Sequence, residues 1–119
     1  MTRESPSSSA RGFRAHAHDA EGTMVVACHG RLTFENAPSL KEEVKRLIPG
    51  RKRIVLDLQR VPQIDSSGLG TVVGLYVSAR TRGCRLEIIN ASRQVAELFS
   101  MTNLLSLFEG AGRHGGKMI

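Results

Sequence analysis

The spacing of apolar positions changes several times along the chain, and each change marks an element. Residues 13–19 alternate weakly between apolar and polar and predict an edge strand. Glu21-Gly22 is a turn signal, and Met24-Val25-Val26-Ala27-Cys28 predicts the second strand of a hairpin. After a loop over residues 30–34, Ala37, Leu40, Val44, Leu47 and Ile48 recur at helical spacing. Asn36 stands at the N-cap of that helix, Pro38 lies in the first turn where its missing donor costs nothing, and Pro49-Gly50 stops it. Residues 53–58 are almost continuously aliphatic apart from Asp57, the pattern of a central strand covered on at least one face. A second helix follows Ser67, with Leu69, Val72, Val73, Tyr76 and Val77 on its predicted buried stripe and Gly83 at its end. Gly70 and Gly74 cost this helix propensity, and their four-residue spacing predicts a close approach to the sheet in return. Residues 85–89 predict a fourth strand. Ser92 caps a third helix carrying Val95, Leu98 and Phe99, and Leu104, Leu105, Leu107 and Phe108 predict a short fifth strand.

The order β-β-α-β-α-β-α-β contains no internal repeat. It predicts a single α/β domain, a mixed sheet of about five strands with helices packed on one face, because three helices cannot cover two faces well. Crossover connections of one hand place the C-terminal ends of successive strands on one edge, so the loops at residues 30–36, 59–67 and 90–92 are expected to meet there. A chain of 119 residues has room for one core. Residues 1–12, rich in Ser with Arg and one Pro, are expected to be a disordered leader. The domain is expected over residues 13–110, and residues 111–119, with three Gly, as a flexible tail.

Composition narrows the function classes. A hydrophobic fraction of 40% and a charged fraction of 24% are ordinary for a globular domain. No apolar run approaches the roughly 20 residues of a membrane span, and residues 1–12 lack the apolar centre of a secretory signal. A soluble cytoplasmic protein without membrane insertion is expected. Cys28 and Cys84 match neither a zinc site nor a Cys-x-x-Cys pair and are expected to be buried reduced thiols. His16 and His18 share one face of the first strand, but nothing at a suitable spacing completes a site, so neither metal nor cofactor is expected. The net charge of +6 raises the question of nucleic acid. Much of it is local, in Arg51-Lys52-Arg53 and in Arg80, Arg82 and Arg85, which parallel strands would gather at the N-terminal edge of the sheet. With one Tyr, four Phe and no Trp there is no stacking platform, and a solvated basic edge is the expected reading over an RNA or membrane-surface patch.

The candidate chemistry lies in Asp65-Ser66-Ser67-Gly68-Leu69-Gly70, where a strand turns into a helix. Asp and Ser are preferred N-cap residues, so the segment is able simply to start a helix, a role worth about 1 kcal/mol. A hydrolase nucleophile is disfavoured because Gly-x-Ser-x-Gly is absent and only His114 follows in the chain. A dinucleotide site is disfavoured because Val73 replaces the third glycine of the fingerprint and Asn90 stands where an acidic residue belongs. A phosphorylation switch fits better. Free amide hydrogens and the helix dipole accommodate a phosphate on either serine, whereas a partner surface fitted to a neutral hydroxyl rejects its charge of about −1.5 to −2.

Gly30-Arg31-Leu32, the helix from Asn36, Ile54-Val55-Leu56-Asp57-Leu58 and above all Ile64-Asp65-Ser66-Ser67-Gly68-Leu69-Gly70 resemble the STAS domain of bacterial anti-sigma factor antagonists. The resemblance covers residues 13–109 in the same element order. It implies a non-enzymatic protein that binds an anti-sigma factor serine kinase and so frees a sigma factor. The kinase phosphorylates the second serine of the pair, here Ser67 with Ser66 as the alternative, and a serine phosphatase resets it. It further implies that Asp65 orients the turn and either reaches toward the partner's nucleotide site or serves purely as a cap, and that Gly68 lets the kinase approach the backbone. Thr33, Phe34, Glu35, Asn36 and Leu69 are expected to form the docking surface with Asp65 and Ser66. Phe34 is left open between surface and core. STAS domains also serve as subunits of lipid-transport ABC systems and as stress-signalling scaffolds, and the intact second serine favours the switch over those adaptor roles. The basic charge departs from what the family leads one to expect.

Overall fold

The computed structural model describes residues 8–10 and 12–101. Its elements are β1 (Ser8–Ala10), β2 (Phe13–Ala20), β3 (Thr23–Gly30), α1 (Ala37–Leu47), β4 (Arg53–Arg60), α2 (Ser66–Thr81), β5 (Arg85–Ile89) and α3 (Arg93–Met101). The strands form one mixed sheet in the order β1-β2-β3-β4-β5. β1, β2 and β3 pair antiparallel, and β3, β4 and β5 pair parallel. Four strands of five to eight residues carry the sheet, and β1, three residues long, borders it.

The hairpin turn falls where Glu21 and Gly22 take φ of 55° and 90°, the left-handed pair that matches strand twist. Asp19 fixes the turn by accepting the Gly22 amide at 2.9 Å, and this bond together with Arg51 holds its carboxyl below the usual range. In register across β3, β4 and β5, Met24, Ile54 and Leu86 form one buried row and Val26, Leu56 and Ile88 the next. α1 adds Leu40 and Val44, α2 adds Leu69, Val72, Leu75 and Ala79, and α3 adds Val95 and Phe99, all in the same core. Each of these large side chains contributes about 1.5–3 kcal/mol by leaving water. Ser92 caps α3, its hydroxyl accepting the Val95 amide at 3.2 Å.

Several expectations are corrected. Within the expected disordered leader, Ser8–Ala10 pairs with β2, Ser8 opposite Ala15 and Ala10 opposite Phe13. An edge strand is held by main-chain bonds and needs no apolar side chains, so composition alone does not announce it. The expected fifth strand at residues 104–108 and the tail lie outside the described residues. On α2 the buried stripe runs through Leu69, Val72, Leu75 and Ala79, while Val77 is 55% exposed. Apolar residues surround this helix, so periodicity alone does not choose its inner face. Gly70 and Gly74 do not approach the sheet: a Cβ on either meets nothing within 4 Å.

The basic edge does form, with carboxylates set into it. Arg53 and Arg85 are register partners on β4 and β5, and both reach the buried Glu87, at 2.6 and 3.5 Å. Arg51 pairs with Asp19 at 2.9 Å. Cys28 and Cys84 are free and buried. Among the described residues no helix is long and apolar enough to cross a membrane, and no cluster of His, Cys, Asp and Glu is arranged to hold a metal ion.

Candidate functional site

Two loops at the C-terminal ends of neighbouring parallel strands are joined main chain to main chain. Residues 31–36 leave β3 and residues 61–65 leave β4. The Leu32 amide donates to the Gln63 carbonyl at 3.0 Å, and the Asp65 amide donates back to the Leu32 carbonyl at 3.2 Å. Leu32 and Ile64 form an isolated parallel bridge, and both side chains are buried. The loops are therefore anchored by the core beneath them.

Asp65 sits above that bridge in extended backbone, φ −107° and ψ −175°, as the N-cap of α2. Its Oδ1 accepts the Gly68 amide at 2.9 Å, and its Oδ2 accepts the Phe34 amide at 3.0 Å. The Asp65 carbonyl takes the first helical bond, from the Leu69 amide at 2.9 Å. One side chain thus starts the helix and fixes the neighbouring loop. Both carboxylate oxygens are engaged within the domain, which is the capping role.

Ser66 and Ser67 form the first turn of α2 and are exposed. They precede the first two satisfied amides of the helix, so their own N–H groups lie at its positive end. Ser67 also opens onto a groove of about 560 Å³ between α1 and α2, shared with Phe34, Lys41, Lys45, Gly70 and Gly74. Phe34 is 67% exposed, which answers whether it points to core or surface. Glu35 is exposed and Thr33 half-buried, its carbonyl accepting the amides of Asn36 and Ala37 at 2.9 and 2.7 Å.

Three expected docking residues turn inward instead. Leu69 is buried in the core on the inner face of α2. Asn36 is buried and does not cap α1 with its side chain; its Nδ2 donates to the Arg31 carbonyl at 2.5 Å and braces the loop. Gly68 is required by its own fold, since a Cβ there would lie 2.4 Å from the Leu32 carbonyl oxygen and 2.8 Å from Ile64 Cγ1. The absent side chain serves the loop-to-helix packing beneath it. The loop at residues 90–92 is tied elsewhere, Asn90 Nδ2 donating to Asp57 on β4 at 3.2 Å. Lys41 and Lys45 were absent from the sequence candidates, although their i, i+4 spacing puts them side by side on α1, flanking the buried Leu40–Val44 stripe.

Comparison with known proteins agrees with this fold. The STAS domain family matches residues 14–115 of the chain. The anti-sigma-B factor antagonist of Listeria monocytogenes is 34% identical over 82 residues, covering 67% of this chain and 71% of that one. The crystal structure of an anti-sigma factor antagonist from Mycobacterium paratuberculosis superposes with a TM-score of 0.74 at 20% identity, covering 81% of this chain and 82% of the other. The Bacillus cell fate determinant SpoIIAA, solved in its phosphorylated form, superposes with a TM-score of 0.64 at 20% identity over 79% of this chain and 86% of its own.

Proposed function

This chain belongs to the STAS domain family, and on that premise we propose that it is an anti-sigma factor antagonist switched by phosphorylation of Ser67. In its unmodified state it binds an anti-sigma factor that is also a serine kinase. Phosphate on Ser67 ends that binding, and a serine phosphatase restores it. The protein is the regulated partner and supplies no catalytic group.

The observation that carries this reading is the exposed serine pair at the mouth of α2, beside the exposed Phe34 and at the end of a groove. A phosphate there meets free amide hydrogens and the positive end of the helix, so the domain tolerates it. A partner packed against the hydroxyl does not, because it would have to desolvate a charge of about −1.5 to −2. Ser67 is favoured over Ser66 because it lines the groove. The adaptor alternative, a STAS subunit of a lipid-transport system or of a stress-signalling scaffold, would use the basic edge, much of which is neutralised by Asp19 and Glu87.

Incubation with a cognate anti-sigma kinase and ATP tests the assignment by mass spectrometry. One phosphate should be added, lost in Ser67→Ala and retained in Ser66→Ala. Phosphate on Ser66 alone, or on neither serine, overturns it.

A further inference from the structure

We propose that the trench between α1 and α2 seats an acidic amphipathic helix of the protein partner, an inference that rests on the reading above and names the chemistry of the docking segment. The groove that begins at Ser67 and Phe34 continues into a second depression of about 260 Å³ that reaches Val77 and Arg82, the two sharing Lys45 and Ser78. From Ser67 to Thr81 the trench follows α2 for about 21 Å at 1.5 Å per residue, the length of a helix of about four turns.

Its charge is of one sign. Among the described residues Lys41, Lys45 and Arg82 line it, and no Asp or Glu does. Neither lysine has an ion pair among the described residues, whereas Arg46, on the same helix, is paired with Glu43. The trench is also where the exposed large hydrophobics of the described residues lie: Phe34 at one end, 67% exposed, and Val77 at the other, 55% exposed. Two separated apolar contacts with a row of cations between them complement a helix carrying Leu or Ile on one stripe and Glu or Asp beside it. Gly70 and Gly74 keep the middle of the trench deep, with open space above both. A nucleic acid would want stacking aromatics along its path, and among the described residues Phe34 is the only aromatic lining the trench. A second copy of the chain, at a net charge of +6, is a poor source of acidic helix.

The placement explains why phosphate acts as a switch. Ser67 lies in the same trench, so its phosphate would set a dianion against the incoming carboxylates and draw on the cations that hold them.

A synthetic four-turn peptide with Leu on one stripe and Glu at i, i+4 beside it, together with its Glu→Gln counterpart, tests the proposal without any kinase. Titrated into the isotopically labelled full chain, the Glu peptide should shift the amide resonances of Lys41, Lys45, Gly70, Gly74 and Val77. Affinity should fall at least tenfold for the Gln peptide, for the double variant Lys41→Glu/Lys45→Glu, and for Gly74→Leu, whose added side chain enters open space and leaves thermal stability intact. Shifts confined to other surfaces, equal binding of both peptides, or full binding by the folded variants overturns the proposal. So does tighter binding of single-stranded RNA or anionic phosphatidylglycerol vesicles at these residues, or a dimer that the variants abolish. Because the peptide bypasses phosphorylation, its failure leaves the Ser67 assignment standing, and failure to phosphorylate Ser67 leaves the trench result standing.

Discussion

Asp65 and Phe34 are 31 residues apart in the chain, and the carboxylate of the first accepts the backbone amide hydrogen of the second at 3.0 Å. The other oxygen of that carboxylate caps the helix that opens with Ser66 and Ser67. The apolar tip of one loop and the hydroxyls of the other are therefore set by the same side chain. A partner touching Phe34 meets Ser67 at a fixed offset, with little conformational freedom left to lose on binding.

Removing that carboxylate should loosen both ends of the relationship. Asp65→Ala is expected to cost about 1–2 kcal/mol, the loss of a cap together with a second hydrogen bond. That corresponds to a fall in melting temperature of roughly 4–8 °C for each kcal/mol. Asp65→Asn, a good cap in its own right, should lose less. Thermal denaturation of the three proteins decides, and equal melting temperatures for Ala and wild type would show that the bridge contributes nothing to stability.

The glycines of α2 should respond in opposite directions. Gly74→Ala and Gly70→Ala fill open space and restore helix propensity, so each is expected to stabilise the domain by about 0.5–1 kcal/mol. Gly68→Ala drives a methyl group into the Leu32 carbonyl and is expected to cost about 1–3 kcal/mol. Urea unfolding midpoints separate the cases, and a uniform response would contradict an α2 that buries Gly68 and turns Gly70 and Gly74 outward.

Charge at Ser67 should act on binding and not on folding. Ser67→Asp is expected to keep the melting temperature and weaken kinase binding by more than about 1.4 kcal/mol, a tenfold loss. Ser67→Ala should bind nearly as the unmodified protein does and act as a constitutive antagonist. Calorimetry showing Ser67→Asp binding undiminished would rule out charge as the signal.

The buried thiol of Cys28 makes stability depend on alkaline pH. Burial, with Asp57 adding to it, pushes its pKa from the ordinary 9.0 up to about 12. Between those values the unfolded chain has released the proton and the folded chain still holds it. Folding therefore weakens as pH rises, by about 1.4 kcal/mol per unit for this group. Comparing urea unfolding of wild type and Cys28→Ala across that range isolates the contribution, because other titrating groups are common to both. Parallel pH profiles would show that the thiol ionises in the folded state.

Sequence and structure part company where one signal serves two outcomes. The hairpin was legible because Glu21-Gly22 names its turn, and the central strand β4 because residues 54–58 are almost continuously aliphatic. Ser66 and Ser67 were legible because a capping Asp just before an apolar run fixes a helix start. The inner face of α2 was not, since Val73, Tyr76 and Val77 compete with Leu75 and Ala79 around the same helix. The three glycines of the site look alike in sequence, yet Gly68 is pressed against Leu32 while Gly70 and Gly74 face open space. Asn36 carries a capping residue's side chain at the capping position and bonds the loop behind it instead. The strand Ser8–Ala10 leaves no trace in composition because strand pairing is made by main-chain hydrogen bonds, which any residue type supplies.

In this sheet each strand lies beside the one that precedes it in the chain. Among the described strands none has to be threaded between two that have already paired, so this part of the sheet is able to grow from one side as the polypeptide leaves the ribosome, each segment adding to an open edge. Both loops of the Asp65 bridge are in place once α2 has emerged, before β5 and α3 follow it out. Contacts that close early keep the loop-closure cost of each step small and favour rapid folding. The face that carries Ser67 and Phe34 would then be assembled ahead of β5 and α3.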